Sequence, residues 1–165
     1  MVVAIVGVVA VAAIPDLRSS DPHRLDLAAE EFAEAMRFAR SEAIRTGEPR
    51  GFREASTNNR IRVFRADTST SPWAENFDVY HPVSKQLYVI DLHVHPFARA
   101  DDVSHNRLFR GTCNSPRKVY FDRAGVPRCL DPENVLVERY DVTLTLGSHA
   151  RVVTLDGITG RVTVQ

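Results

Sequence analysis

A chain of 165 residues with 21 Lys and Arg against 21 Asp and Glu is neutral overall, and it has room for one globular domain with a modest core. That balance excludes a general electrostatic draw to nucleic acid or to an acidic membrane surface. The two cysteines, Cys113 and Cys129, have no second Cys or close His at zinc-site spacing. They are either one disulfide, formed in an oxidising compartment and worth about 2 to 4 kcal/mol, or two separate buried thiols.

In chain order, the first element is the apolar run MVVAIVGVVAVAAI, residues 1–14, closed by Pro15. It is shorter than the roughly 20 residues a helix needs to cross a bilayer. It also lacks the positive opening and the small-residue cleavage site of a secretory signal. Residues 15–48 continue it as an amphipathic helix. Leu25, Ala28, Phe32, Ala35, Met36, Ala39 and Ala43 step by three or four along one face, with Glu30, Glu31, Glu34, Arg37, Arg40, Glu42 and Arg45 on the other. Glu34 and Arg37 attract at three apart, but such pairs add only tenths of a kcal/mol, so packing of the apolar stripe must hold the helix. Gly47 and Pro49 end it. At its start, Asp21 can cap with Pro22 in the first turn, or one continuous helix can kink at Pro15 and Pro22.

From residue 49 to 165 the period changes to two. Ile61–Arg65 alternates imperfectly, and a strand over Tyr88–Val94 sets Tyr88, Ile90, Leu92 and Val94 on one face. The stretch from Ala66 to Ser84, around Trp73, reads mainly as loop. A hairpin follows from Lys118 to Val126, turned at Gly125. Strands over Tyr140–Leu146, Arg151–Leu155 and Arg161–Val164 close the chain, with turns at Gly147 and at Gly157 to Gly160. The fold class is α+β: a long N-terminal helix, then an antiparallel sheet or sandwich.

Three stretches together resemble the GspH/FimT family of pilin-like minor pseudopilins. VVAIVGVVAVAAIPDL is similar to the family's membrane anchor. AMRFARSEAIRTGEP, with Ala39-Arg40-Ser41-Glu42-Ala43-Ile44 near the helix end, resembles its internal signature. Val142 to Val164 resembles its terminal strands. The chain departs from the pattern at its start, where the Gly-Phe-Thr-Leu-Ile-Glu processing motif is missing. Translation of the codons upstream of Met1 is therefore expected to reveal a short basic leader and such a motif.

The resemblance implies a pilin-like fold with a partly transmembrane helix, no catalysis, no cofactor, and a processed and methylated N-terminus. The chain would be a single-pass protein of the bacterial inner membrane, its β domain periplasmic. It would be a structural subunit near the tip of the pseudopilus of a type II secretion system. Its partners would be other minor and major pseudopilins, an inner-membrane assembly platform and secreted cargo. The alternative is a FimT/FimU-like minor type IV pilin acting in pilus assembly or DNA uptake. Helix packing in the assembly would use Val6, Gly7, Ala10, Ala13, Pro15, Phe32, Ala35, Met36, Ala39 and Ala43, the small residues allowing close approach.

Other chemistry is weakly signalled. Asp91, His93 and His95 alternate, with His105 downstream, and could ligate zinc or copper, although a solvated strand face explains them equally well. No nucleophile elbow, reactive-cysteine signature or phosphate-binding Gly-rich loop occurs, which points away from an enzyme. Gly160-Arg161-Val162-Thr163 keeps one arginine of a Gly-Arg-x-Arg element that DNA-uptake relatives use, making Arg161 a candidate phosphate contact.

Overall fold

The computed structural model describes residues 21–55, 59–94, 96–98, 103–110, 113 and 118–165, with the backbone alone at 107–110. Among these residues, the helix α1, Asp21–Thr46, is followed by ten strands: β1 Arg50–Ala55, β2 Arg60–Asp67, β3 Ala74–Asn76, β4 Val89–Asp91, β5 Ser104–Arg110, β6 Lys118–Phe121, β7 Pro127–Cys129, β8 Arg139–Leu146, β9 His149–Asp156 and β10 Val162–Val164. They form two antiparallel sheets. A six-stranded sheet runs β3-β2-β1-β6-β7, with β4 paired to β2 beside β3, and a four-stranded sheet runs β10-β9-β8-β5.

The stripe read from sequence makes α1 the lid of both sheets. Leu25, Ala28, Phe32, Ala35, Met36, Ala39 and Ala43 are buried, joined by Ala29 and Ala33. They share one core with Phe52 of β1, Val63 of β2, Phe121 of β6, Tyr140 and Val142 of β8, and Val153 of β9. Phe52 is the hinge of this core, its ring centroid 6.3 Å from Phe32, 6.4 Å from Phe121 and 5.6 Å from Tyr140. Alanines at the remaining helix positions let backbone and sheet approach closely, while Phe32 and Met36 fill the space between the sheets. Gly47 takes φ 71° after the last turn and donates its N–H to the Ala43 carbonyl at 3.0 Å, closing the helix.

The six-stranded sheet is buried on both faces over part of its width. In β2, Ile61 and Val63 face α1, whereas Phe64 and Ala66 face away into a second cluster with Tyr120, Leu130, Trp73 and Phe77. The stretch expected to be mainly loop, Ala66 to Ser84, is so apart from the end of β2 at Asp67 and the three residues of β3 that pair with it, and Phe77 beyond β3 packs edge-on against Phe64. At Gly51, a Cβ would stand 2.4 Å from the Val119 carbonyl and 2.5 Å from the Phe64 ring, so the packing of β1 against β6 there requires glycine.

The strand expected over Tyr88–Val94 is shorter. Tyr88, Ile90 and Leu92 are buried, but pairing ends at Asp91, whose carboxylate accepts the His93 N–H at 3.0 Å and starts a turn that leaves Val94 exposed. The hairpin at Gly125, φ 77°, and the closing strands β8 to β10 fall where their alternation places them. Among the described residues no helix is long and apolar enough to cross a membrane, and the apolar run of residues 1–14 lies outside them.

Candidate assembly surface

The two sequence signatures at opposite ends of the domain meet in space. The last turns of α1 and the β9–β10 turn enclose a cleft of about 270 Å³ lined by Arg37, Arg40, Ser41, Ile44, Gly160 and Arg161. The β9–β10 turn is self-built. The Asp156 carboxylate accepts the N–H groups of Ile158 at 3.1 Å and Thr159 at 2.7 Å and the Thr159 hydroxyl at 2.8 Å. Those bonds from Thr159 and Ile158 hold the Asp156 carboxyl below its usual range. Gly160, at φ 66°, then lies so near that a Cβ would stand 2.7 Å from the Gly125 carbonyl.

Arg40 is the tie. Its Nε donates to the Gly125 carbonyl at 3.1 Å and its guanidinium also donates to the Thr159 carbonyl at 2.8 Å, so one side chain fastens the helix end to a turn of each sheet. Arg37 donates to Glu34 at 2.6 Å and Glu30 at 3.4 Å, and to the Val162 carbonyl at 3.4 Å. Its hydrogen bond to Glu34 raises its pKa against the cost of burial. At the helix start, Arg24 donates to the Pro96 carbonyl at 3.0 Å and to that of Phe97, and Arg151 of β9 donates to Asp26 at 2.5 Å. Arg161 is exposed, and among the described residues its guanidinium has no hydrogen bond or ion pair.

The stripe of α1 opposite its buried face is exposed: Leu27, Glu30, Glu31, Glu34, Ser41, Ile44 and Arg45. Ile44 is 52% exposed, an apolar side chain beside the basic cleft. Phe32, Ala35, Met36, Ala39 and Ala43 are fully buried in the chain's own core, so their packing here is against its own sheets. Val6, Gly7, Ala10, Ala13 and Pro15 lie outside the described residues.

The remaining candidates disperse. Asp91 accepts a hydrogen bond from Arg60 at 2.6 Å; burial works against its ionisation, but the His93 N–H and Arg60 outweigh it and keep its pKa low. His105 belongs to the other sheet, where its Nε2 lies 3.3 Å from Oε2 of the buried Glu54. His95 lies outside the described residues. Among the described residues no three His, Cys, Asp or Glu side chains gather as metal ligands would.

Cys113 and Cys129 are joined, their Cα atoms 5.5 Å apart, which ties the chain ahead of β6 to β7 at the edge of the six-stranded sheet. On that sheet's outer face, Trp73 and Tyr120 pack with centroids 5.3 Å apart beside a cleft of about 260 Å³ that Thr68 and Asn134 also line. Burial pushes the Tyr120 phenol up to about 12.

Among the described residues, one helix laid across two antiparallel sheets is a pilin-like arrangement. The family described as type II transport protein GspH matches residues 28–158, and the chain belongs to it. No curated relative matches at the level of sequence. Among solved structures, the chain is similar to the minor pseudopilin EpsH from the type 2 secretion system of Vibrio cholerae, with a TM-score of 0.57 at 10% identity over 86% of this chain and 96% of that one. It is also similar to the type IV minor pilin FimU of Pseudomonas aeruginosa, with a TM-score of 0.53 at 14% identity over 88% and 91%. Both likenesses are of fold.

Proposed function

We propose that this chain is a minor pseudopilin, a non-catalytic assembly subunit near the tip of the periplasmic pseudopilus of a type II secretion system. The observation that carries this reading is the GspH family match across residues 28–158, which spans both sequence signatures up to the β9–β10 turn. The fold supports it, since α1 buries one stripe at home and leaves the other for neighbours. Residues 1–14 are the anchor and filament-core segment, residues 15–48 its amphipathic continuation, and residues 49–165 the periplasmic β domain, with the protein held in the inner membrane by a single span. Its partners are other minor and major pseudopilins, met through the N-terminal helix, and the inner-membrane platform; exported cargo meets the β domain.

The test is deletion of the gene in its host, with assay of secreted enzymes and of surface pili. Lost secretion with intact pili, restored by the full-length gene, is the expected result. The likeness to FimU favours one second reading, a minor type IV pilin. Lost pili with intact secretion selects it, and no change in either phenotype refutes both. Fractionation of the complemented strain tests the anchor, with the full chain expected in the inner-membrane fraction.

A further inference from the structure

The outer face of the six-stranded sheet, the one turned away from α1, carries a row of like charges. Cross-strand register sets Arg62 of β2 opposite Arg53 of β1, and Arg53 opposite Lys118 of β6. Cations side by side on one face repel unless something anionic stands among them. Glu75 of β3 does so for two of the three, 3.0 Å from Arg53 and 2.5 Å from Lys118. Arg62 is left out. Among the described residues its guanidinium has no hydrogen bond or ion pair, and its Nε is buried without a partner. The other carboxylates along this edge are engaged elsewhere, Asp91 by Arg60 at 2.6 Å and Asp78 by Arg65 at 3.0 Å. What Arg62 does have is the Phe77 ring, its Cζ 5.6 Å from the centroid, which offsets only part of the cost of withdrawing a charge from water.

The space beside it is open. Where β3 and β4 divide the outer edge of β2 between them, Arg62 stands in a cleft of about 170 Å³ with Phe77, Leu87, Tyr88 and Val89. Leu87 and Val89 are 49% and 41% exposed, so the guanidinium is bordered by apolar surface that the chain leaves uncovered. We propose that this cleft docks an acidic and aliphatic segment of another protein, one carboxylate pairing with Arg62 and the adjoining aliphatic side chains lying on Leu87, Val89 and Phe77. The charge of Arg62 selects the carboxylate, and the apolar border excludes water from the pair and so strengthens it. That this protein is a neighbour in the assembly rests on the reading of the chain as a pseudopilin; the chemistry of the cleft does not. Nucleic acid fits less well, since a polyanion needs a run of free cations, and Arg53, Arg60, Arg65 and Lys118 are each paired with a carboxylate.

The test is titration of the full-length chain in detergent micelles with a capped peptide of alternating Glu and Leu, read by NMR at the Arg62 Nε–H resonance, which its loss in Arg62→Met assigns. The expected result is saturable, salt-sensitive binding that shifts this resonance, weakened about tenfold by Arg62→Met and by exchange of Glu for Gln in the peptide. Arg62→Lys, which keeps the charge without the planar fork, should fall between. Because Arg62 has no ionic partner among the described residues, Arg62→Met is expected to leave the melting temperature in place; a marked fall with binding unchanged makes Arg62 a structural residue and overturns the proposal. Should the variant unfold, the wild-type resonance decides between the Glu and Gln peptides. A Gln peptide that binds as well as the Glu peptide also overturns the proposal, and so does the lack of saturable binding by either. Duplex DNA that binds through Arg62 more tightly than the peptide, or self-association of the chain alone that Arg62→Met abolishes, names a different occupant and makes the proposal wrong. Secretion phenotypes from gene deletion bear on the functional reading alone, so the two can fail separately.

Discussion

The two sheets under α1 solve the same packing problem with different chain. The four-stranded sheet is built mainly from a meander, β8-β9-β10, whose strands follow one another through short turns and face the core with Tyr140, Val142, Leu144, Val153, Leu155 and Val162. The six-stranded sheet is assembled from distant pieces, β1 and β2 pairing with β6 and with the short strands β3 and β4, and it needs a second cluster and a disulfide at its margin. Local connection makes the first regular; the second, whose pairings close long loops, depends on particular side chains and a covalent tie.

The largest effect should come from removing what both sheets share. Phe52→Ala empties the junction of Phe32, Phe121 and Tyr140 and is expected to cost about 3 to 5 kcal/mol, read as a fall in the denaturant midpoint. Loss concentrated in one sheet's amide protection, with the other unchanged, would show that the sheets do not share a core. Breaking the Cys113–Cys129 bond by Cys113→Ser should cost about 3 kcal/mol for a loop of 16 residues. Its signature is regional: faster hydrogen exchange in β6 and β7, with β8 and β9 unaltered.

Arg40→Met keeps the aliphatic stem and deletes two charge-assisted bonds to the turns at Gly125 and Thr159, for an expected loss of about 2 kcal/mol. Exchange should quicken at the β6–β7 and β9–β10 turns together; a change at one alone breaks the symmetry claimed for the tie. The smallest effect is on acid stability. Burial opposes ionisation of Asp122, but Arg128 and the N–H groups of Val126 and Ala124 hold its carboxyl below the ordinary value of 3.8. A carboxyl depressed in the folded state adds stability above its unfolded pKa, and this is lost as pH falls through the folded value. Asp122→Asn should therefore flatten the drop in melting temperature between about pH 4 and pH 2, an interval set by the ordinary carboxylate range.

The same contrast governs what the sequence revealed. The stripe from Leu25 to Ala43 was plain because every third or fourth residue is apolar, and β8 and β9 were plain because alternation and Gly147 agree. Strand β5 was not, since SHNRLFR shows no alternation and its place is fixed by pairing with β8, from Ser104 opposite Thr145 to Arg110 opposite Arg139. Nor was the burial of Glu54, in a strand rich in polar residues: its partner His105 comes from the other sheet, and no local pattern links them. Of the cleft, Arg40 and Arg161 were each singled out in sequence, but as a charged-face residue and a lone basic residue. Their neighbourhood arises from the Asp156 turn, which folds Gly160 onto the hairpin at Gly125.

The fastening of α1 by Arg24 at one end and Arg40 at the other has a mechanical meaning. A subunit drawn into a filament by its helix is loaded along the helix axis. Arg40 holds the helix end to the turns of both sheets at once and Arg24 holds its start to the Pro96 carbonyl, so the helix cannot lift from one sheet there without also straining its bond to the other.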